Sequence, residues 1–269
     1  PYSMVTVSTA TPRRTEYKNK EASEQALLTL PYADDFAYEN YPPDYLTSRG
    51  GAPRYTTDQG GAFEVEQTES GNALVQQITA HTRAKEWGFT PDPVTCFGDD
   101  RWYNYSVLVH VKLDPSEEPA KNYAGVGLRY TLACNAISGY SIRLYQDGSW
   151  ALLAQDTVKA RGSIGDFDPG AVHALHIKAE YNVITAWIDG EPVAEYVSRS
   201  ESLMGAGRGA LYSAYHRNCF SRLVIRPTAD AESYITRYDN TDVCFAYEGA
   251  WEHQTATGFK HYKRTISQG

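Results

Sequence analysis

The sequence predicts an all-β protein in which two antiparallel sheets pack face to face. Two observations predict it: short segments alternate in polarity with a period of two, and turn residues close each of them. Strong turn signals stand at Asp147-Gly148, at Asp189-Gly190 and at Asp168-Pro169-Gly170. A third is the aromatic content of 13%, with 21 Tyr against 2 Met, since aromatic rings suit β-rich cores as well as wet recognition surfaces.

The elements follow in order. PYADDF (31–36) opens the series, and TDQGGAFEVE (57–66) and CFGDDRWYNYSVLVHVKL (96–113) continue it. In the latter, Val107, Val109 and Val111 alternate with Leu108, His110 and Lys112, so one set faces a core. YAGVGLRY (123–130), GYSIRLYQDGSWALL (139–153) and VHALHIKAEYNVITAWIDGEPVAEY (172–196) complete it. Within the last, Val172, Ala174 and His176 share one face, opposite His173, Leu175 and Ile177; Trp187 is expected in the core. Helical signal is confined to KEASEQALLTL (20–30), a short helix that Pro31 would stop.

Three zones result. Residues 1–30 hold a strand candidate, MVTVST (4–9), and a charged connector. Residues 31–228 are the sandwich. Residues 229–269 start afresh after a polar link. Both ends, through 3–9 and VCFAYE (243–248) with Trp251 as anchor, are expected to fold back as a small accessory β-layer against the sandwich or to pair with a neighbouring molecule, because an isolated strand leaves backbone groups unpaired.

Bulk properties exclude several classes. A net charge of −8 argues against nucleic acid or an anionic membrane as partner. No apolar run is long enough to span a bilayer and no signal-peptide core is visible; Pro1 in place of an initiator Met reads as an excised piece of a longer polypeptide. Cys96, Cys134, Cys219 and Cys244 are scattered without metal spacing and are expected to be mostly free thiols.

The ordered elements LPYADDF, APRYTTDQGGAFEV, PDPVTCFGDDRWYNYSVLVHVKL, YAGVGLRY, GYSIRLYQDGSWALL, ITAWIDGEPV and GRGALYSAYHRNCFSRLVI carry a resemblance. Over residues 30–226 the chain resembles the C-terminal lectin-like domain of galactocerebrosidase-type glycoside hydrolases. The resemblance implies a concanavalin or laminin-G-like jelly roll. It also implies a secreted bacterial carbohydrate-binding module, tethered to glycoside hydrolase modules and directed at plant polysaccharide. The family's catalytic glutamates lie on a separate barrel that this chain lacks, so no catalysis carries over. The tail from Tyr238 is similar to the opening strands of galactose-binding-like jelly-roll modules.

Sugar recognition needs an aromatic plane for the C–H face of a pyranose and polar groups for its hydroxyls. On 139–146, Ile142 and Leu144 face the core, so Arg143 and Tyr145 share the other face. On 125–131, Val126 and Leu128 point inward, so Arg129 points outward. Arg129, Arg143 and Tyr145 are therefore expected side by side on one accessible face; a merely solvated face is the alternative. Trp150, after the Asp147-Gly148 turn, would flank that face. Trp102 reads as a ligand contact or an edge anchor. Trp87 lies in a loop, and loops on a rigid sandwich often bind. LYSAYHRN concentrates Tyr212, Tyr215 and His216.

Asp34 and Asp35 are candidate ligands of a structural calcium, since hard oxygen donors at a strand start suit that ion. The resembling domains take a second acid from an FDNF motif; the aligned residues here are Phe220-Ser221-Arg222-Leu223, which leaves an Asp35–Arg222 ion pair as the alternative. No cofactor is otherwise required. Motifs of hydrolases and nucleotide-binding proteins are missing, and the acids Glu64, Glu66, Asp99, Asp100, Asp166, Asp168, Glu180 and Asp189 sit mostly at turns and strand ends. His173 and His176 fall on opposite faces and form no metal pair. The reading is a non-catalytic module for a β-linked, galactose-containing polysaccharide such as xyloglucan or galactan. A hydrolase or lyase on a concanavalin-like sandwich, and a protein-interaction module, are the alternatives.

Overall fold

The computed structural model describes residues 28–69, 71–82, 92–131, 138–199 and 205–228, and the backbone of 251–256 and 259–264. In chain order the strands begin with β1 (Tyr32–Asp34), β2 (Thr56–Gly60), β3 (Phe63–Thr68), β4 (Gly71–Gln76), β5 (Val94–Phe97) and β6 (Tyr105–Lys112). Next come β7 (Tyr123–Tyr130), β8 (Tyr140–Tyr145), β9 (Ser149–Ala154), β10 (Thr157–Ser163), β11 (Val172–Glu180) and β12 (Val183–Ile188). β13 (Glu191–Val197), β14 (Arg208–Ser213) and β15 (Cys219–Pro227) finish the sandwich, and β16 (Trp251–Ala256) and β17 (Phe259–Arg264) form a separate hairpin. Helix among the described residues is limited to two 3-10 turns, Thr47–Arg49 and Pro119–Lys121.

One sheet has eight strands in the order β13-β12-β11-β6-β15-β4-β3, with β1 paired to β15; the other has seven, in the order β10-β9-β8-β7-β14-β5-β2. All pairings are antiparallel. The fold is the two-sheet antiparallel sandwich that the alternation predicts.

The period-two pattern decides which side chains meet between the sheets. Val107, Val109 and Val111 of β6 and Leu175 and Ile177 of β11 are fully buried there, against Val126, Leu128, Ile142, Leu144 and Leu152 of the other sheet. Burying side chains of this size stabilises the fold by about 1.5–3 kcal/mol each, which makes a slipped register costly. The β12–β13 turn places Asp189 at φ 52° and Gly190 at φ 85°, the left-handed pair that a tight hairpin of matching twist needs. His173 and His176 do fall on opposite faces: His173 is buried and bound to Asp189, while His176 stacks outside on Trp187.

Trp187 departs from expectation. Ile184, Ala186 and Ile188 take the buried positions of β12, so Trp187 lies on the outer face, its ring 4.6 Å from that of His176. A single-residue change of parity separates the two outcomes. The strand candidates at 3–9 and 243–248, most of the helix candidate at 20–30, and Trp87, Cys134 and Cys244 lie outside the described residues, as does the Trp251 side chain. Cys96 and Cys219 are free thiols.

Candidate functional site

The outer face of the seven-stranded sheet gathers a second cluster, separate from the core between the sheets. It contains Val94, Cys96, Tyr123, Tyr130, Ala210, Tyr212 and Ala214, with Tyr145 packed against it. β7 creates the space. Gly125 and Gly127 take the outward positions, and a Cβ at Gly127 would stand 2.6 Å from Cε2 of Tyr212 and 2.7 Å from the carbonyl oxygen of Tyr140. With no side chains in the trough, Arg143 of β8 and Tyr212 of β14 lie down into it from either side.

Arg143 is therefore outward, as the alternation of Ile142 and Leu144 requires, yet only 8% exposed. Its guanidinium carbon sits 4.5 Å from the centroid of Tyr123 and 5.6 Å from that of Tyr212. Its Nε has no hydrogen-bond partner, and its Nη1 reaches the Asp92 carboxylate only at 3.9 Å. Asp92 in turn accepts a 2.5 Å hydrogen bond from the Tyr123 hydroxyl. Burial pushes the Tyr123 and Tyr212 phenols well above their usual range, so both stay neutral donors. Half-buried Tyr145 lies beside Tyr123, ring centroids 5.4 Å apart, and forms the open edge of the cluster. The result is an underused cation, a carboxylate and aromatic rings on a rigid sheet.

Arg129 does not join them. β7 carries one extra residue against β14, where the register shifts between Arg208 and Ala210, and Arg129 sits in that bulge at φ 56°. The bulge turns its side chain off the face. Nε donates to the carbonyl of Tyr103 at 3.0 Å and Nη2 to that of Tyr181 at 2.6 Å, with the guanidinium 4.1 Å from the Tyr103 centroid. Burial lowers its pKa, and its exposure is 2%. Tyr130 takes the vacated outward position, edge-on to Tyr212.

Trp102 offers no face to a ligand. It is fully buried, packed over Gly98 and 5.3 Å from the Tyr105 ring. Trp150 points the other way from Tyr145: it pairs with Leu144 of the inner face and its ring covers Gly162 at the sandwich edge. Tyr215 and His216 are half-buried in the β14–β15 connection. Their carbonyls receive the Ala80 amide and the Gln76 side chain, respectively.

Asp34 is 7% exposed, and both its oxygens are engaged. Oδ2 accepts from the hydroxyls of Tyr32 and Tyr38 at 2.8 Å, and Oδ1 from the amide of Phe36 at 2.8 Å. A cation would meet oxygens already turned toward donors, a poor fit to calcium. Asp35 is exposed, accepts from the Ala37 amide, and forms no ion pair with Arg222. Among the described residues no cluster of three or more His, Cys, Asp or Glu could hold a metal.

Most acids weighed for catalysis have structural partners. Glu66 pairs with Arg217, Asp99 with Arg101, Asp100 with Arg208, Glu180 with Lys178 and Asp189 with His173. Tyr123, Tyr130 and Asp92 are the cluster members that the sequence reading missed. The parity of Tyr123 with Gly125 and Gly127, opposite Val126 and Leu128, was the available signal for the first.

No protein-family model matches the chain, and neither does any curated protein. Solved structures with a similar strand arrangement include the carbohydrate-binding module CBM66 from Bacillus subtilis, 12% identical with a TM-score of 0.48 over 64% of this chain and 95% of the module. The receptor-binding domain of botulinum neurotoxin D is 10% identical, with a TM-score of 0.44 over 65% of this chain and 45% of that one. A Trypanosoma rangeli sialidase mutant displaying trans-sialidase activity is 13% identical, with a TM-score of 0.43 over 61% of this chain and 27% of the sialidase. Likeness at this level decides neither ligand nor activity.

Proposed function

We propose that the chain is a non-catalytic carbohydrate-binding domain whose site is the Arg143 cluster. The observation that carries it is the guanidinium of Arg143, held against Tyr123 and Tyr212 with its Nη1 3.9 Å from the partly exposed Asp92 carboxylate. A cation so placed donates to sugar hydroxyls, Asp92 accepts from them, and Tyr145 supplies the ring for the C–H face. Tyr215 and His216 would form the rim. The resemblance to lectin-like domains of galactocerebrosidase-type hydrolases supports galactosyl-containing plant polysaccharide as ligand, xyloglucan or galactan first. It also supports a secreted location and tethering to a glycoside hydrolase. Calcium is not required for this reading.

Affinity electrophoresis against galactose-decorated xyloglucan and galactan tests it. Retardation without released product is expected. Released product would make the chain an enzyme; absence of retardation would favour a protein-interaction module. Binding to uronate polymers alone would mean that Arg143 serves an anion and not neutral hydroxyls.

A further inference from the structure

The segment from β1 to β2 builds a second aromatic cleft, away from the Arg143 face. It encloses about 300 Å³ and is lined by Tyr32, Asp34, Asp35, Tyr38, Tyr41 and Arg54, among others. Asp34 sets its floor: one carboxylate oxygen receives both the Tyr32 and Tyr38 hydroxyls, which fixes the two rings. The Tyr38 hydroxyl also accepts the Arg54 amide at 3.0 Å, tying the two ends of the segment together. Tyr38 lies 5.6 Å from Tyr41, and Tyr41 lies 4.4 Å from Tyr45.

Arg54 is the unusual member. Its guanidinium lies 5.0 Å from the Tyr41 centroid and 4.7 Å from that of Tyr55, and one Nη donates to the Tyr55 hydroxyl at 2.6 Å. It has no ion-pair partner among the described residues. Arg54 lines the cleft, held by ring stacking and not by a carboxylate. Asp35 spends one oxygen on the Ala37 amide, which leaves the other for a ligand. Three non-glycine residues around the cleft, Phe36, Tyr38 and Tyr55, hold left-handed φ values of 60°, 52° and 58°. Such conformations persist where the surroundings over-determine them, as in ligand clamps.

Charge selects the ligand. Asp34, Asp35 and Glu39 line the cleft against the single cation Arg54, so an anion is disfavoured. A quaternary ammonium would compete with Arg54 for the Tyr41 ring, and a metal would compete with the donors already on Asp34. A neutral, polyhydroxylated ring satisfies both Asp35 as acceptor and Arg54 as donor. We infer that this cleft is a second binding site, for a neutral hexopyranose unit. The inference rests on the carbohydrate reading of the chain but uses none of the residues of the Arg143 site. Two separate sites would let one chain grip a polysaccharide twice, which raises avidity without new contacts.

Calorimetric titration of the full chain with galactobiose tests it, using Arg54→Met, Asp35→Ala, Arg143→Met and the Arg54→Met/Arg143→Met pair. Two binding events are expected. Arg54→Met and Asp35→Ala should each weaken one of them by about tenfold or more, as expected for hydrogen bonds to charged groups, and leave the other unchanged. The double variant should show both events weakened together. Arg54→Lys, which keeps the charge but loses the planar fork, should bind as weakly as Arg54→Met while melting like the parent. A single event abolished by Arg143→Met and untouched by Arg54→Met would overturn the second site and leave the first standing. A single event abolished by Arg54→Met alone would do the reverse, and no heat at all would overturn both.

Discussion

Replacing Arg143 and Arg129 separately by Met separates a binding arginine from a structural one. At Arg143 the change forfeits cation–π contact with two buried rings, about 2 kcal/mol for desolvated Tyr123 at 4.5 Å and less for Tyr212 at 5.6 Å, near the limit of such a contact. It also forfeits a 3.9 Å approach to Asp92, a carboxylate 44% exposed, worth about 0–1 kcal/mol. Against this, it removes a buried donor with no partner, which relieves about 1–3 kcal/mol. The terms nearly cancel, and Met keeps most of the apolar stem. Arg143→Met should therefore leave stability within about 1 kcal/mol of the parent, a shift of about 2–4 °C in Tm for a domain of this size, while reducing retardation by polysaccharide to the level that the Arg54 cleft sustains alone. At Arg129 the same change strands the carbonyls of Tyr103 and Tyr181, each now holding a charge-assisted hydrogen bond. The Arg129 Nη1, like Nε of Arg143, has no partner, so removing it offsets about 1–3 kcal/mol of the roughly 3–6 kcal/mol that the two bonds carry; the net loss should be about 2 kcal/mol or more, with binding of the folded fraction intact. Differential scanning calorimetry and affinity electrophoresis on both variants decide the matter. If Arg143→Met destabilised as much as Arg129→Met, Arg143 would be a packing residue and the proposed site would fall.

Three further outcomes follow from the geometry. Trp102→Ala should cost about 3–5 kcal/mol in urea unfolding, because it empties a fully buried site, and should spare affinity at low temperature; lost affinity with unchanged stability would return Trp102 to the ligand. His176 is held below the ordinary imidazole value by burial, then by Lys178 and Arg226; His110 is held there by burial, then by Arg222. The unfolded chain thus binds more protons, so stability is full above the unfolded value of about 6.5 and declines as pH falls through it toward the folded values. Tm should drop between about pH 7.5 and 5.5, and less steeply in His110→Gln/His176→Gln; identical slopes would refute the assignment. Because the oxygens of Asp34 are occupied by hydroxyl and amide donors, EDTA should leave Tm unchanged, and a calcium-dependent rise would contradict this.

Alternation made the sandwich legible, because burying Val107, Val109 and Val111 leaves β6 one acceptable register. The same rule placed Arg143 and Tyr145 together, and it failed wherever the pleat was interrupted. Arg129 is the clearest case: an extra residue in β7 reverses the parity beyond Leu128, and nothing in YAGVGLRY announces a bulge to a reading that assumes a regular strand. Trp150 fails differently. Its parity is inward, but the Asp147-Gly148 turn suggested proximity to Tyr145, and proximity along the chain says nothing about face. Trp102 precedes β6 rather than lying within it, so no period applied, and the small Gly98 that admits its ring is a tertiary fact. Asp92 belongs to the cluster only because β5 and β7 flank β14, a neighbourhood that strand order does not reveal in sequence.

The trough left by Gly125 and Gly127 has a consequence for the thermodynamics of recognition. A free arginine side chain surrenders roughly 1.5–2 kcal/mol of rotamer freedom when a ligand immobilises it. Arg143, laid over Gly125 and bracketed by Tyr123 and Tyr212, has surrendered that freedom already in folding. A sugar arriving at this face meets a donor that need not be ordered and a sheet that need not bend. The entropy of organising the site has been charged to the fold, where the core between the sheets absorbs it, and weak individual contacts with hydroxyls can then register as affinity.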